Sequence, residues 1–346
     1  VMSSEPSLDA GPSRKKIGPK TIALFLFKLL GTTVFLYWAF SQMEDQSALA
    51  ENFRLALTSP FWLGCGIAFA GITVLTSALR WHVLLRAQSI DVSFSYIGKL
   101  TLIAALFNVA SFGTAAGDAM KMISVMRRYP DKKVVITMTV MIDHMVGFIS
   151  GGLIFLVFAW AFGTVQATEN FGVRQAFIAT TVFQTVGIFF IVVMYLISSD
   201  RMLEKFGGKM PKMMANKHIQ SITSSLNCIR SSWKALTVSL AASFALSASY
   251  FLAFYAGLQT IGEDVAVSTI FTVMPIVDVV SALPISISGL GVRERAFDFL
   301  VSELAGIATS SAVSASLIGF LFHVFWGVVG GIYLIFDRSA FAKHPH

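Results

Sequence analysis

Long apolar stretches alternate with short charged ones along this chain, and six of the apolar stretches are long enough to cross a lipid bilayer. They run from Thr21 to Phe40, Phe61 to Leu85, Val134 to Phe162, Ala176 to Ile197, Leu236 to Leu258 and Ser311 to Phe336. A crossing helix needs about 20 residues, because about 30 Å of hydrocarbon is covered at 1.5 Å per residue. Two more apolar regions, Val92 to Val125 and Val265 to Ala308, are broken in their middles by glycines and charges. The first carries Ser111-Phe112-Gly113-Thr114-Ala115-Ala116-Gly117-Asp118-Ala119-Met120-Lys121. The second carries Pro284-Ile285-Ser286-Ile287-Ser288-Gly289-Leu290-Gly291-Val292-Arg293-Glu294-Arg295. Unpaired backbone polar groups are costly in hydrocarbon, so such breaks are tolerated only against protein or a water-filled cavity. Interruptions at matching places in two halves of a membrane protein point to a transport site.

Charge then orients the chain. Arg14, Lys15, Lys16 and Lys20 precede the first span, and Arg80 and Arg86 end the second. Lys121, Arg127, Arg128, Lys132 and Lys133 precede the third, and a basic group from Arg201 to Lys234 separates the fourth from the fifth. The opposite loops lean acidic, with Glu44, Asp45, Glu51, Glu169, Glu263 and Asp264. Positive charge marks the cytoplasmic side, which places both termini there. Each broken region must then begin and end on one face, the first on the basic side and the second on the acidic side. The expected architecture is an all-α integral membrane protein. It has about six full transmembrane helices plus two re-entrant helical hairpins in an inverted-topology repeat.

In this scheme residues 1–20 form a basic cytoplasmic tail, 21–338 a membrane domain and 339–346 a second cytoplasmic tail. Repeat unit one covers about 60–198 and unit two about 233–338. An interfacial amphipathic linker over about 201–232 joins them, with a plain solvated linker as the alternative. Each broken region is followed by a histidine in an apolar setting and a Gly-Gly pair: His144 with Gly151-Gly152, and His323 with Gly330-Gly331.

Composition changes little in this picture but excludes much. The chain has 346 residues, 55% of them hydrophobic and 13% charged, and a mean hydropathy of +0.72. No segment is long and polar enough for a soluble catalytic domain. The net charge of +7 sits in short loops, which suits anionic headgroups rather than nucleic acid. Two cysteines give no disulfide framework. The apolar run after the polar start has no small-residue cleavage site and reads as a retained span, not a removable signal. An integral protein of the bacterial inner membrane is expected.

The candidate site residues are charged and polar groups on or beside the breaks. Asp118 and Lys121 are three apart, on one helical face. A helix starting near Gly117 would offer free amides to an anion such as a lipid phosphate, whereas an Asp N-cap is the plainer reading. Arg293, Glu294 and Arg295 lie on the acidic side, where the orientation rule gives no reason for arginines. Arg matches phosphate oxygens with a planar fork, and a salt bridge closing the hairpin is the alternative. Asp143 and His144 fall near mid-membrane depth and diverge by about 100° around the helix. Asp143 is expected to reach Arg293 or Lys121, with His144 lining a cavity. His144 and His323 titrate near neutrality unless buried, and a hydrogen-bonded core histidine is the alternative for each. Asn108 and Asp278 flank the breaks as further polar candidates. There is no GxSxG, Walker, HExxH or CxxC motif and no helical histidine pair, so no metal, cofactor, nucleotide or enzyme activity is expected.

Several of these residues carry a family resemblance. The run Arg80-Trp81-His82-Val83-Leu84-Leu85-Arg86-Ala87-Gln88, then Leu106-Phe107-Asn108, Gly117-Asp118, Asp143-His144 and Gly289-Leu290-Gly291-Val292-Arg293-Glu294 resemble the transmembrane region of bacterial lysylphosphatidylglycerol synthases. The likeness covers nearly the whole chain after its N-terminal tail. It implies two inverted re-entrant hairpins and movement of lipids between leaflets. Aminoacylated phosphatidylglycerol and hopanoid or other isoprenoid lipids are the cargoes linked to relatives, and Asp118, Arg293 and Glu294 would belong to the lipid cavity. The family commonly has a proline-glycine turn and a double glycine where this chain has Phe112-Gly113 and Ala116-Gly117. It commonly has Arg at the positions of Lys121 and His144, which points to a different headgroup here. The soluble transferase domain of the fused members is not found in these 346 residues, so lipid lysylation is not expected of them.

The function expected is that of a lipid translocase or transporter for an anionic or modified phospho- or isoprenoid lipid. The alternatives are a membrane-embedded enzyme of lipid or polyprenyl-phosphate metabolism, and a scaffold subunit for a separate synthase. Membrane lipids are the expected partners, with a second copy of the chain or a separately encoded lipid-modifying enzyme as further candidates.

Overall fold

A computed structural model describes residues 19–41, 47–110, 114–161, 168–197, 227, 230, 232–283 and 285–336. All regular structure among them is helical, as the periodicity required. Five helices are long and apolar enough to cross a bilayer: α3 (Pro60–Ala87), α6 (Lys133–Leu156, prolonged by a π-helical turn Val157–Ala161), α7 (Phe171–Ile197), α8 (Trp233–Thr260) and α11 (Thr309–Phe336). A further apolar helix, α1 (Pro19–Ser41), has 23 residues, enough to reach about 34 Å, and buries Lys28 in its middle. The expected spans match these helices to within a few residues at each end. An amphipathic helix that the pattern did not announce, α2 (Ser47–Leu57), lies between α1 and α3.

The two broken regions form hairpins of shorter helices, of 17 and 15 residues in the first and 15 and 14 in the second, against the about 20 of a typical crossing. The first pairs α4 (Phe94–Ala110) with α5 (Thr114–Arg128), and the second pairs α9 (Val267–Ser281) with α10 (Val292–Ala305). Residues 111–113, Pro284, and nearly all of the proposed linker over 201–232 lie outside the described residues.

Packing between the halves is reciprocal. α3 lies along α8, while α4 packs on α11 and α9 on α6, so each hairpin leans on the long helix that follows the other hairpin. Close approach is carried by small residues. A Cβ on Gly330 of α11 would sit 2.0 Å from the Leu102 carbonyl oxygen of α4, so only glycine lets these backbones meet there. Its counterpart in unit one behaves differently, since a Cβ on Gly151 meets nothing within 4 Å. Along α8 the face toward its neighbours is made of Ser239, Ala242, Ser243, Ala253, Ala256 and Gly257.

Two apolar clusters hold the hairpins. Trp81, Leu85, Ile97, Leu100, Ile103 and Ile136 pack around the first. Phe155, Phe177, Phe254, Met274, Phe297 and Val301 pack around the second. Burying each such large side chain contributes on the order of 2 kcal/mol against water. Within a bilayer the contribution comes from packing contacts instead.

Candidate functional site

The tips of the two hairpins meet. Ser288, with a left-handed backbone (φ 52), donates its hydroxyl to the carbonyl oxygens of Asn108 (2.8 Å) and Val109 (3.1 Å) at the end of α4. The side chain of the same Asn108 accepts the backbone N–H of Gly117 at 3.1 Å. A Cβ on Gly117 would stand 2.2 Å from that amide oxygen, so glycine is what lets α5 close on α4. Asn108 is therefore the joint between the hairpins, a larger role than the flanking position expected for it.

Behind the first tip, Asp118, Lys121 and His144 come together. Asp118 accepts from Lys121 Nζ at 2.8 Å through one oxygen and contacts His144 Nε2 at 3.0 Å through the other. Lys121 is buried, with its ammonium 5.2 Å from the centre of the Trp81 ring, whereas the His144 side chain is 58% exposed. The shared face of Asp118 and Lys121 was legible from their spacing. The N-cap reading is corrected: α5 already includes Thr114, so Asp118 lies a full turn inside the helix. The free amide expected at Gly117 is also corrected, because Asn108 takes it.

Asp143 takes another partner than expected. It forms a two-pronged pair with Arg80 of α3, at 2.6 Å and 2.7 Å, and Arg80 also donates to Ser243 of α8 at 3.0 Å. Neither Lys121 nor Arg293 reaches it. The reason is steric as well as electrostatic: the planar guanidinium matches both carboxylate oxygens, and 2.9 Å separates its Nη1 from a Cβ built on Gly147. Arg80, read from sequence as a loop charge, is buried with Asp143 among three helices. Its signal was its depth, well before the end of an apolar run, unlike Arg86, whose side chain is 61% exposed.

The second tip is sealed. Glu294 is wholly buried and receives the Gly291 N–H at 2.5 Å, so a side chain in the first turn of α10 caps the helix's own entry. Its other oxygen takes Arg293 Nε at 3.1 Å and Nη2 at 3.0 Å, with Ser316 at 3.4 Å. The Arg293 guanidinium lies 4.0 Å from the centre of Phe320 and 5.9 Å from that of Phe254. Gly291 adopts φ +81, and a Cβ there would meet the Leu36 backbone N of α1 at 2.6 Å. Thr32 of α1 accepts the Ile287 N–H at 2.7 Å, so α1 clamps this turn.

The remaining candidates divide around that turn. Arg295 does not join Arg293: it pairs with Asp298, which Ser302 also contacts at 2.9 Å, and it lies 4.8 Å from the Trp38 ring centre. His323 hydrogen-bonds through Nδ1 with the Gly319 carbonyl at 3.0 Å and packs its ring between Tyr250 and Phe254, away from His144. Asp278 is exposed on α9, within electrostatic range of Arg293, and its carboxylate forms no hydrogen bond or ion pair with the described residues. No ion pair links the Asp118 cluster to Arg293 or Glu294 among the described residues; their connection runs through Asn108 and Ser288. Groups of acids, histidines and cysteines that would hold a metal ion are absent among the described residues.

Comparison with models of known protein families gives a match over most of the chain. The family model described as "Lysylphosphatidylglycerol synthase TM region" matches residues 22–331. No curated protein matches the chain significantly.

Proposed function

We propose that this chain, which belongs to the lysylphosphatidylglycerol synthase transmembrane-region family, is a lipid translocase that moves a phosphate-bearing or similarly modified lipid between leaflets. Five candidate spanning helices and the family together make it a membrane protein related to lipid metabolism or transport. The observation that carries the finer reading is the junction of the two short hairpins, with an accessible ionised cluster directly behind it. Reciprocal packing of each hairpin on the other half supports reading them as re-entrant and inverted. The distribution of Lys and Arg supports a bacterial inner-membrane location with both termini in the cytoplasm.

In this reading the headgroup enters at Lys121 and His144, while acyl chains stay in lipid. Arg293 and Glu294 keep the second turn in shape. In reconstituted vesicles the wild type is expected to bring a fluorescent phosphatidylglycerol from the inner leaflet within reach of an external quencher. Lys121→Ala is expected to slow this at least tenfold at a temperature where its melting curve still shows folded protein. Absence of lipid movement by well-folded wild-type protein would sink the reading.

An enzyme of lipid or polyprenyl-phosphate metabolism is the rival, favoured by the His144–Asp118 contact at 3.0 Å, an arrangement found in general-base pairs. A mass change in lipid incubated with purified protein would support it, and unchanged mass alongside translocation would exclude it.

A further inference from the structure

Asp118 binds both nitrogen partners of its own cluster, and with a neutral imidazole that leaves no net positive charge for a phosphate. Lys121 holds one carboxylate oxygen and His144 the other. Neighbouring charges do not alter the count. Arg80 and Asp143 face the cluster from α3 and α6, and they neutralise each other at 2.6 Å. α4 contributes Asn108 and α8 contributes Ser243, both neutral. His82 of α3 packs its ring on Phe94, and Lys99 of α4 lies over Tyr333. Arg174 and Lys234 sit at the starts of α7 and α8, Asp131 and Lys132 lie on the short turn before α6, and Asp278 lies with Arg293.

With a neutral imidazole, then, Lys121 and Asp118 cancel, and a phosphodiester entering would leave one uncompensated negative charge in a low-dielectric setting. With a protonated imidazole the cluster carries one positive charge, and the same phosphodiester brings it to zero. A net charge at such depth costs several kcal/mol, so the second state is strongly preferred for binding. Protein leaves 58% of the His144 side chain uncovered, against 7% for Lys121 and 7% for Asp143, so His144 is the member of this group that packing leaves open.

We infer that Asp118, Lys121 and His144 form a proton-gated phosphate seat, in which a lipid phosphate displaces the Asp118 carboxylate from Lys121 and His144 only when His144 carries a proton. The inference rests on the lipid-translocating reading for its biological meaning, but its binding step is separable from transport. Asp118 acts as the resident anion of the empty seat. One proton taken up from water accompanies each phosphodiester bound, and a zwitterionic lipid, whose own ammonium offsets its phosphate, needs none.

The test measures binding of short-chain dihexanoylphosphatidylglycerol to the purified full chain in detergent, at pH 5.5 and pH 8.0. The protonated fraction of the imidazole falls across that interval, and that fall sets the ceiling on the affinity ratio. Wild type is expected to bind severalfold more tightly at pH 5.5, with dihexanoylphosphatidylcholine showing a ratio near one. His144→Gln is expected to bring the phosphatidylglycerol ratio to about one at the weak level, and His144→Arg to about one at the tight level. Equal affinities at both pH values in wild type, a wild-type ratio retained by His144→Gln, or no binding at either pH would each overturn the seat. Gated binding without lipid movement would instead refute translocation and leave the seat standing.

Discussion

The two hairpins hold their charges in opposite ways. At the second, Arg293 and Glu294 are adjacent in sequence, nearly inaccessible, and tied into the turn that starts α10. At the first, Asp118 and Lys121 of α5 meet His144 of α6, which is largely exposed. A pair built within one turn stabilises that turn whatever its neighbours do. A cluster built across two helices depends on their relative position and changes when they shift or when a ligand intrudes. The second hairpin is thus a brace, and the first is the responsive side.

Substitutions on both sides test this contrast. The largest effect is expected from Glu294→Ala, which uncaps α10 and strands a buried guanidinium; loss of about 3–5 kcal/mol should appear as a strongly lowered melting temperature in detergent. Arg80→Ala should cost about 3 kcal/mol by stranding Asp143, and adding Asp143→Ala should recover much of the loss, a coupling that a double-mutant cycle measures. Gly117→Ala should cost about 1–3 kcal/mol by forcing Asn108 out of the joint, again read as thermal stability. Asp118→Asn should cost about 1–2 kcal/mol, because the amide oxygen still accepts from the buried Lys121, while changing lipid movement several-fold, which separates the responsive side from the brace. Arg86→Ala, at an exposed pair 3.6 Å apart, should shift stability by less than about 0.5 kcal/mol. Should Asp118→Asn prove as destabilising as Glu294→Ala, the contrast between the hairpins would collapse.

Much of the architecture was readable along the chain because membrane helices declare themselves locally. Apolar runs near 20 residues placed α3, α6, α7, α8 and α11, and glycines with charges marked both hairpins. Spacing alone placed Asp118 beside Lys121, and adjacency placed Arg293 beside Glu294. The partners of Asp143 and the joint at Asn108 were not readable, because each depends on which helices become neighbours. Arg80 and Asp143 are 63 residues apart, and Ser288 reaches Asn108 over 180. Arg295 was grouped with Arg293 for nearness in sequence, yet two positions on a helix turn a side chain by about 200°, toward Asp298 and Trp38.

What the amino-acid order determined alone is the set of long apolar helices, their lengths and the places where they break, though not the amphipathic α2, since hydrocarbon demands that each segment satisfy its own backbone. Which buried charge answers which was left to the tertiary arrangement. A carboxylate takes whichever cation packing delivers within about 3 Å, and packing is decided by helices far apart in the chain. For that reason Asp143 belongs to Arg80, and Asp118 is shared between a sealed lysine and an open histidine.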